Sequence, residues 1–158
     1  MANGKINTKA RDMNIECTDT KKTKLYDFLE KKLILYFYPK DMTSGCTTES
    51  IEFNDNLTKI KKLKAQVVGV SRDKITLHEK FIDKHGFKFP LISDPKEKLC
   101  KSFDVIKEKC LYGRKYMGVD RSTFILDEEG KILHAWRNVR VKGHVEDVLN
   151  MLKELKWN

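Results

Sequence analysis

Apolar and polar positions along this chain follow two different periods, and the points where one gives way to the other mark its elements. Residues 33–38, Leu-Ile-Leu-Tyr-Phe-Tyr, are an unbroken apolar run bounded by lysines before and Pro39 after, the pattern of a strand covered on both faces. Residues 46–64 carry Phe53, Leu57, Ile60 and Lys64 along one side, which predicts a helix. Residues 65–71, Ala-Gln-Val-Val-Gly-Val-Ser, read as a second buried strand, and residues 77–85 as a second helix ended by Gly86. A short apolar segment at 89–92 is followed by Ser93-Asp94-Pro95, a helix opening that leads into Leu99, Cys100 and Phe103. Residues 104–120 lack a clear period and read as an irregular basic and aromatic loop between Gly113 and Gly118. Residues 122–126 and 131–136 flank Asp127-Glu128-Glu129-Gly130 and predict an antiparallel hairpin. A last helix, from about Gly143 to Leu155, would bury Val145, Val148, Leu149 and Leu152.

Strand, helix, strand, helix implies parallel pairing through right-handed crossovers, while the later hairpin adds antiparallel strands. The expected architecture is therefore α/β, a central mixed sheet with helices on both faces. At 158 residues, with no repeat or low-complexity tract, the chain is expected to fold as one domain over residues 1–158.

The formal charge of +9 comes from 32 Lys and Arg against 23 Asp and Glu. Those lysines are spread along the whole chain without interleaved stacking aromatics, which describes a solvated surface and argues against a specific nucleic-acid face. No apolar run approaches the roughly 20 residues needed to span a bilayer. Met1 to Asn7 lacks the apolar core of a secretory leader, so a reducing cytoplasm is expected, with the cysteines resting as thiols. Cys17, Cys46, Cys100 and Cys110 form neither a Cys-x-x-Cys pair nor a metal-ligand spacing. The four histidines are scattered, and His78 and His85 read as part of a solvated helix face with no assigned role.

The strand-to-helix junction is where chemistry is expected. Pro39 cannot donate to a ladder, so the strand stops there, and the loop Lys40-Asp41-Met42-Thr43-Ser44-Gly45 delivers Cys46 to the first turn of a helix. Unpaired N–H groups and the helix dipole favour an anion at that place. Cys46 is thus a candidate nucleophile, and Ser44 a candidate N-cap.

The spacing Pro39-x-x-x-Thr43-x-x-Cys46 resembles the active-site signature of the peroxiredoxins. Leu35 through Thr43 to Cys46, Tyr116-Met117-Gly118 and Arg121 through Asp127 resemble its bacterioferritin-comigratory, or Q-type, branch. The resemblance spans about residues 10–155 and implies a thioredoxin fold with an N-terminal extension. It also implies a cytoplasmic antioxidant enzyme that reduces hydrogen peroxide or small organic hydroperoxides without metal, haem or flavin. In that role Cys46 attacks the peroxide, and the Thr43 hydroxyl bonds both sulfur and substrate oxygen. Arg121 stabilises the thiolate and the leaving oxygen, Pro39 shields the sulfur, and Glu49 aims Arg121.

Three departures from the Q-type pattern bear on the catalytic cycle. Ser44 stands where proline is common, and Ile51 stands where many members carry a resolving cysteine. The 77–85 helix has no cysteine either, so Cys100 or Cys110 could resolve Cys46 only after substantial unwinding. The preferred expectation is a single-cysteine cycle served by an external thiol, with thioredoxin the donor implied by the resemblance, in a monomer or weak dimer. Arg11 replaces the family's Ala-Pro opening, and Cys17 reads as structural. A thiol–disulfide oxidoreductase is disfavoured because Cys46 has no nearby cysteine in sequence. A non-catalytic redox sensor fits the charge equally well but gives no reason for Thr43 and Arg121 to accompany Cys46.

Overall fold

A computed structural model describes residues 4–156; Met1, Ala2 and Asn3 of the N-terminal stretch, with Trp157 and Asn158, lie outside the described residues. The sheet is built on β2 (Lys32–Phe37), which pairs in parallel with β3 (Ala65–Ser71) and antiparallel with β7 (Ser122–Leu126). β4 (Leu91–Ser93) extends the sheet in parallel beyond β3, β1 (Glu16–Cys17) closes that edge, and β8 (Ile132–Trp136) closes the other. The order β1-β4-β3-β2-β7-β8 makes β2 and β3 interior strands, which is why their side chains are apolar on both faces.

Strand periodicity divides the core in two. Leu33, Leu35 and Phe37 of β2 pack with Val68, Val70, Leu99, Cys100, Phe103 and Phe124 on one side. Ile34, Tyr36 and Tyr38 point the other way, into Phe53, Ile60, Phe81, Val148 and Leu152. Helices therefore cover both faces. α1 (Ser44–Asp55), α2 (Leu57–Lys62), α3 (Ile75–His85) and α5 (His144–Lys156) contribute to the second cluster, and α4 (Lys98–Ser102) to the first. Phe53 is fully buried against Tyr36, ring centroids 4.7 Å apart, which ties α1 to β2. Burial of such a side chain contributes about 1.5–3 kcal/mol.

Several elements differ from the sequence reading. The helix expected over 46–64 begins at Ser44 and breaks at Asn56, whose side-chain amide donates to the Glu52 carbonyl and offers the backbone an alternative partner. Ser44 is the first helical residue, and Thr43 holds the N-cap position without a side-chain capping bond. The helix expected to open at Ser93-Asp94-Pro95 starts at Lys98, yet Asp94 still serves it by accepting from the Leu99 and Cys100 N–H groups at 3.2 and 2.8 Å.

Residues 104–120 are ordered, as the hairpin of β5 (Ile106–Leu111) and β6 (Arg114–Val119). Tyr112 and Gly113 both take positive φ at its two-residue tip, a geometry that glycine supplies at little cost. Both faces of this hairpin are largely exposed, so no apolar alternation betrayed it. The 77–85 helix starts two residues earlier than expected and ends as foreseen at Gly86, φ 69°.

The solvated-face reading of the histidines fails at His78. It is fully buried, with Nδ1 2.5 Å from an Asp41 carboxylate oxygen and Nε2 2.9 Å from the Ile92 carbonyl. The imidazole is satisfied inside because Asp41, from the loop after β2, is buried beside it.

Candidate active site

β2 makes its last ladder contact just past its end, where the Tyr38 N–H donates to the Val70 carbonyl at 3.0 Å. Pro39 has no N–H to continue and is half-buried at the mouth of the loop. The chain then turns through Met42, a non-glycine residue at φ 68°, and enters α1. Cys46 is the third helical residue, 1% exposed, with its side chain in the cluster that holds Tyr36 and Phe53.

Arg121 arrives from a distant segment by strand register. Phe37 pairs with Ser122, so the residue before β7 lies beside the end of β2. Its backbone is fixed by the Val139 N–H, which donates to the Arg121 carbonyl at 2.9 Å, and the adjacent Asp120 N–H donates to Val105 at 2.7 Å. The guanidinium bridges two side chains of α1: Nη2 donates to Cys46 Sγ at 3.2 Å and Nη1 to Glu49 Oε1 at 2.7 Å. A planar fork can do this where a single ammonium cannot. A side chain at Gly45 would place its Cβ 3.3 Å from Nη2, so the helix start is kept bare where the guanidinium passes.

Glu49 is fully buried, and its second oxygen, Oε2, has no hydrogen-bond partner among the described residues. Burial pushes its carboxyl up to about 7, against the opposing pull of Arg121. Thr43 is exposed, and its hydroxyl donates to the Lys40 carbonyl at 2.8 Å; it is directed there and not at the sulfur. Its two lone pairs stay available to a donor. An open hollow beside the start of α1 is lined by Ser44, Gly45, Thr48, Glu52, Val141 and Lys142.

The remaining cysteines occupy different surroundings. Cys17 is buried, which pushes its thiol up to about 11. Cys100 lies in the core cluster on the opposite side of the sheet from Cys46, and burial, then Asp94, holds its thiol far above the ordinary range. Cys110 is exposed on β5.

Sequence reasoning missed the polar cluster behind the loop. Asp41, Asp73 and His78 have ligand-type atoms within 4.8 Å of one another. They are spent on internal bonds: Tyr38 donates to Asp41 at 2.5 Å, Ser71 donates to Asp73 at 2.6 Å, and His78 joins Asp41 to Ile92. The available signal was the position of His78, three residues before the buried Phe81 on the same helix face.

A mixed thioredoxin-like sheet that presents one buried thiol at a helix start, under a guanidinium, has the frame of a thiol peroxidase. Comparison with known proteins places it further. Residues 6–135 match the AhpC/TSA family. The chain is 53% identical over 121 residues to peroxiredoxin Bcp of Xanthomonas campestris pv. campestris, covering 77% of this chain and 76% of that one. It is 44% identical over 150 residues to peroxiredoxin Bcp of Bacillus subtilis, covering 95% and 96%. Among solved structures, peroxiredoxin Q of Xanthomonas campestris superposes with a TM-score of 0.84 at 45% identity over 91% of each chain. A structure of the bacterioferritin comigratory protein of the same species, studied for alkyl peroxide reduction, gives 0.84 at 44% identity over 91% of this chain and 92% of that one.

The chain belongs to the AhpC/TSA family. It is a peroxiredoxin of the Bcp or Q type, a thiol peroxidase that acts on peroxide at the expense of a thiol reductant. Among the described residues no helix is long and apolar enough to cross a membrane.

Proposed function

We propose that Cys46 is the peroxide-reactive nucleophile of this enzyme and that Arg121 is its electrostatic partner. The observation that carries the reading is the 3.2 Å bond from Arg121 Nη2 to Cys46 Sγ, made by a guanidinium already aimed by Glu49. The thiolate attacks one oxygen of a hydroperoxide, the O–O bond breaks, and the sulfur becomes a sulfenic acid while the other oxygen departs as hydroxide or alkoxide and takes up a proton. Arg121 faces the charge that builds during this step. Pro39 limits water at the sulfur, and Thr43, whose hydroxyl is freed by a turn about χ1, contacts the incoming oxygen.

The substrate class is hydrogen peroxide and small organic hydroperoxides; the alkyl peroxide activity studied in the Xanthomonas relative supports the second part. Recovery follows a single-cysteine cycle. An external thiol condenses with the sulfenic acid and releases water, and a second thiol frees Cys46 and leaves as a disulfide. Ile51 in place of a neighbouring cysteine and the burial of Cys100 across the sheet support this route. Thioredoxin is the proposed donor, in the cytoplasm, with the enzyme a monomer or weak dimer.

Mass spectrometry of the protein after one equivalent of hydrogen peroxide tests the reading. We expect a sulfenic acid at Cys46, trapped by dimedone and absent from Cys46→Ser, together with catalytic peroxide loss when thiol is supplied. A Cys46–Cys100 or Cys46–Cys110 bridge overturns the single-cysteine cycle, and oxidation without turnover overturns the peroxidase reading in favour of a sensor.

A further inference from the structure

Cys46 is 1% exposed, so an external thiol reaches its sulfur only if residues 39–46 move. Between Tyr38 and Cys46 only one side chain is buried. Lys40, Met42, Thr43 and Ser44 are exposed, Pro39 and Gly45 are half-buried, and Asp41 is 1% exposed. Asp41 is therefore the interior anchor of the loop that carries the nucleophile, and three other elements hold it.

Tyr38, at the end of β2, donates its hydroxyl to Asp41 Oδ1 at 2.5 Å. Asp73, after β3, accepts the Asp41 backbone N–H at 2.7 Å and is itself braced by the Ser71 hydroxyl. His78 of α3 meets Asp41 Oδ2 through Nδ1 at 2.5 Å and the Ile92 carbonyl of β4 through Nε2 at 2.9 Å. The Ile92 carbonyl can only accept, so Nε2 is the donor on that side and Nδ1 is left to bond Asp41 Oδ2. Both carboxylate oxygens of Asp41 and both ring nitrogens of His78 are thus bonded in the interior, the condition under which a buried polar network holds its parts in one arrangement. Burial keeps the Tyr38 hydroxyl protonated, as a donor to Asp41 must be.

We propose that Asp41 and His78 are positioning residues, a latch that holds the Cys46 loop closed over its sulfur and sets how readily an external thiol gains access. The latch does not touch the reacting atoms. It acts through the loop, so peroxide attack, which uses the closed pocket, and recovery by a bulky thiol, which needs it open, respond to it in opposite directions. This rests on the reading of Cys46 as the peroxide-reactive residue.

The test measures the opening directly, as the rate at which a polyethylene-glycol maleimide labels Cys46 in the reduced enzyme, read at the Cys46 peptide by mass spectrometry. Recovery of the oxidised enzyme by reduced thioredoxin and oxidation by hydrogen peroxide are timed alongside. Tyr38→Phe deletes one oxygen and keeps the ring; His78→Phe removes the bridge. Both are expected to speed labelling and recovery about tenfold or more, the ratio associated with losing a buried hydrogen bond to a charged group, while oxidation stays level or slows. Asp41→Asn, whose amide accepts from Tyr38 and donates to a neutral His78, is expected to stay within about threefold of wild type. Leu152→Ala, a core change in α5, serves as a control of matched thermal destabilisation.

Unchanged labelling in Tyr38→Phe, or equal acceleration in Asp41→Asn or Leu152→Ala, overturns the latch. Should His78→Phe fail to fold, Tyr38→Phe decides. A wild-type Cys46 inert to peroxide would overturn the peroxidase reading, while the labelling series alone still judges the latch.

Discussion

Arg121 Nη1 lies 2.7 Å from Glu49 Oε1, while the other oxygen of the same carboxyl, Oε2, is buried without a partner among the described residues. Half of this carboxyl is compensated and half is desolvated, and desolvation dominates, raising it from 4.5 to about 7. Because the folded value lies above the unfolded one, the folded state binds the extra proton. The stability this group contributes is complete below about pH 4.5 and is lost as pH rises through about 7. The difference amounts to about 3 kcal/mol. Glu49→Gln keeps an oxygen for Arg121 and cannot ionise. Its stability relative to wild type, from urea unfolding at stepped pH, should therefore rise by about 2–3 kcal/mol between pH 4.5 and 7.5. A flat difference across that range would show that Glu49 is ionised throughout.

Removing the other partner separates structure from chemistry. Arg121→Ala takes away the bond to Cys46 Sγ and leaves Glu49 unpaired in the interior, a change that costs about 3–5 kcal/mol only at a pH well above 7, where the remaining carboxyl is charged, so its stability is compared there. Its rate of oxidation by hydrogen peroxide should fall about 10²–10³-fold, the scale of losing one preorganised electrostatic donor. Adding Glu49→Gln should restore most of the stability and none of the rate. Thermal unfolding and stopped-flow oxidation of the single and double variants check both parts, and recovery of rate in the double variant would mean that Arg121 acts by charge balance with Glu49 and not on the sulfur.

Much of this arrangement could be read from the residues alone. The apolar run of β2, the two-sided burial of β3 and the β7–β8 hairpin follow from periods that burial on fixed faces imposes. Spacing and resemblance singled out Pro39, Cys46, Glu49 and Arg121, and the register that pairs Phe37 with Ser122 explains why Arg121 meets Cys46 and Glu49 from so far away in sequence. The β5–β6 hairpin was not legible because it buries little on either face. His78 was misread for a different reason. A polar residue on a helix reads as solvated unless its partner is known, and that partner, Asp41, belongs to a loop whose path is settled only when the sheet has formed.

The placement of Thr43 gives the last expectation. Its hydroxyl hydrogen is spent on the Lys40 carbonyl, at 2.8 Å, at the start of the turn that carries the chain into α1. In this arrangement the hydroxyl oxygen can accept from a hydroperoxide O–H but cannot donate to the sulfur, and a turn about χ1 exchanges the two roles. If it orients the peroxide, Thr43→Val, which keeps the branched shape, should slow oxidation by hydrogen peroxide about tenfold to a hundredfold, the value of one hydrogen bond made to a charged centre. Thr43→Ser, which keeps the hydroxyl, should lose no more than about threefold. If the bond to Lys40 were the whole of its role, both variants would oxidise at similar rates, and Thr43→Val would instead lose about 1 kcal/mol of stability. Stopped-flow rate constants for the two variants, with their unfolding midpoints, separate the outcomes.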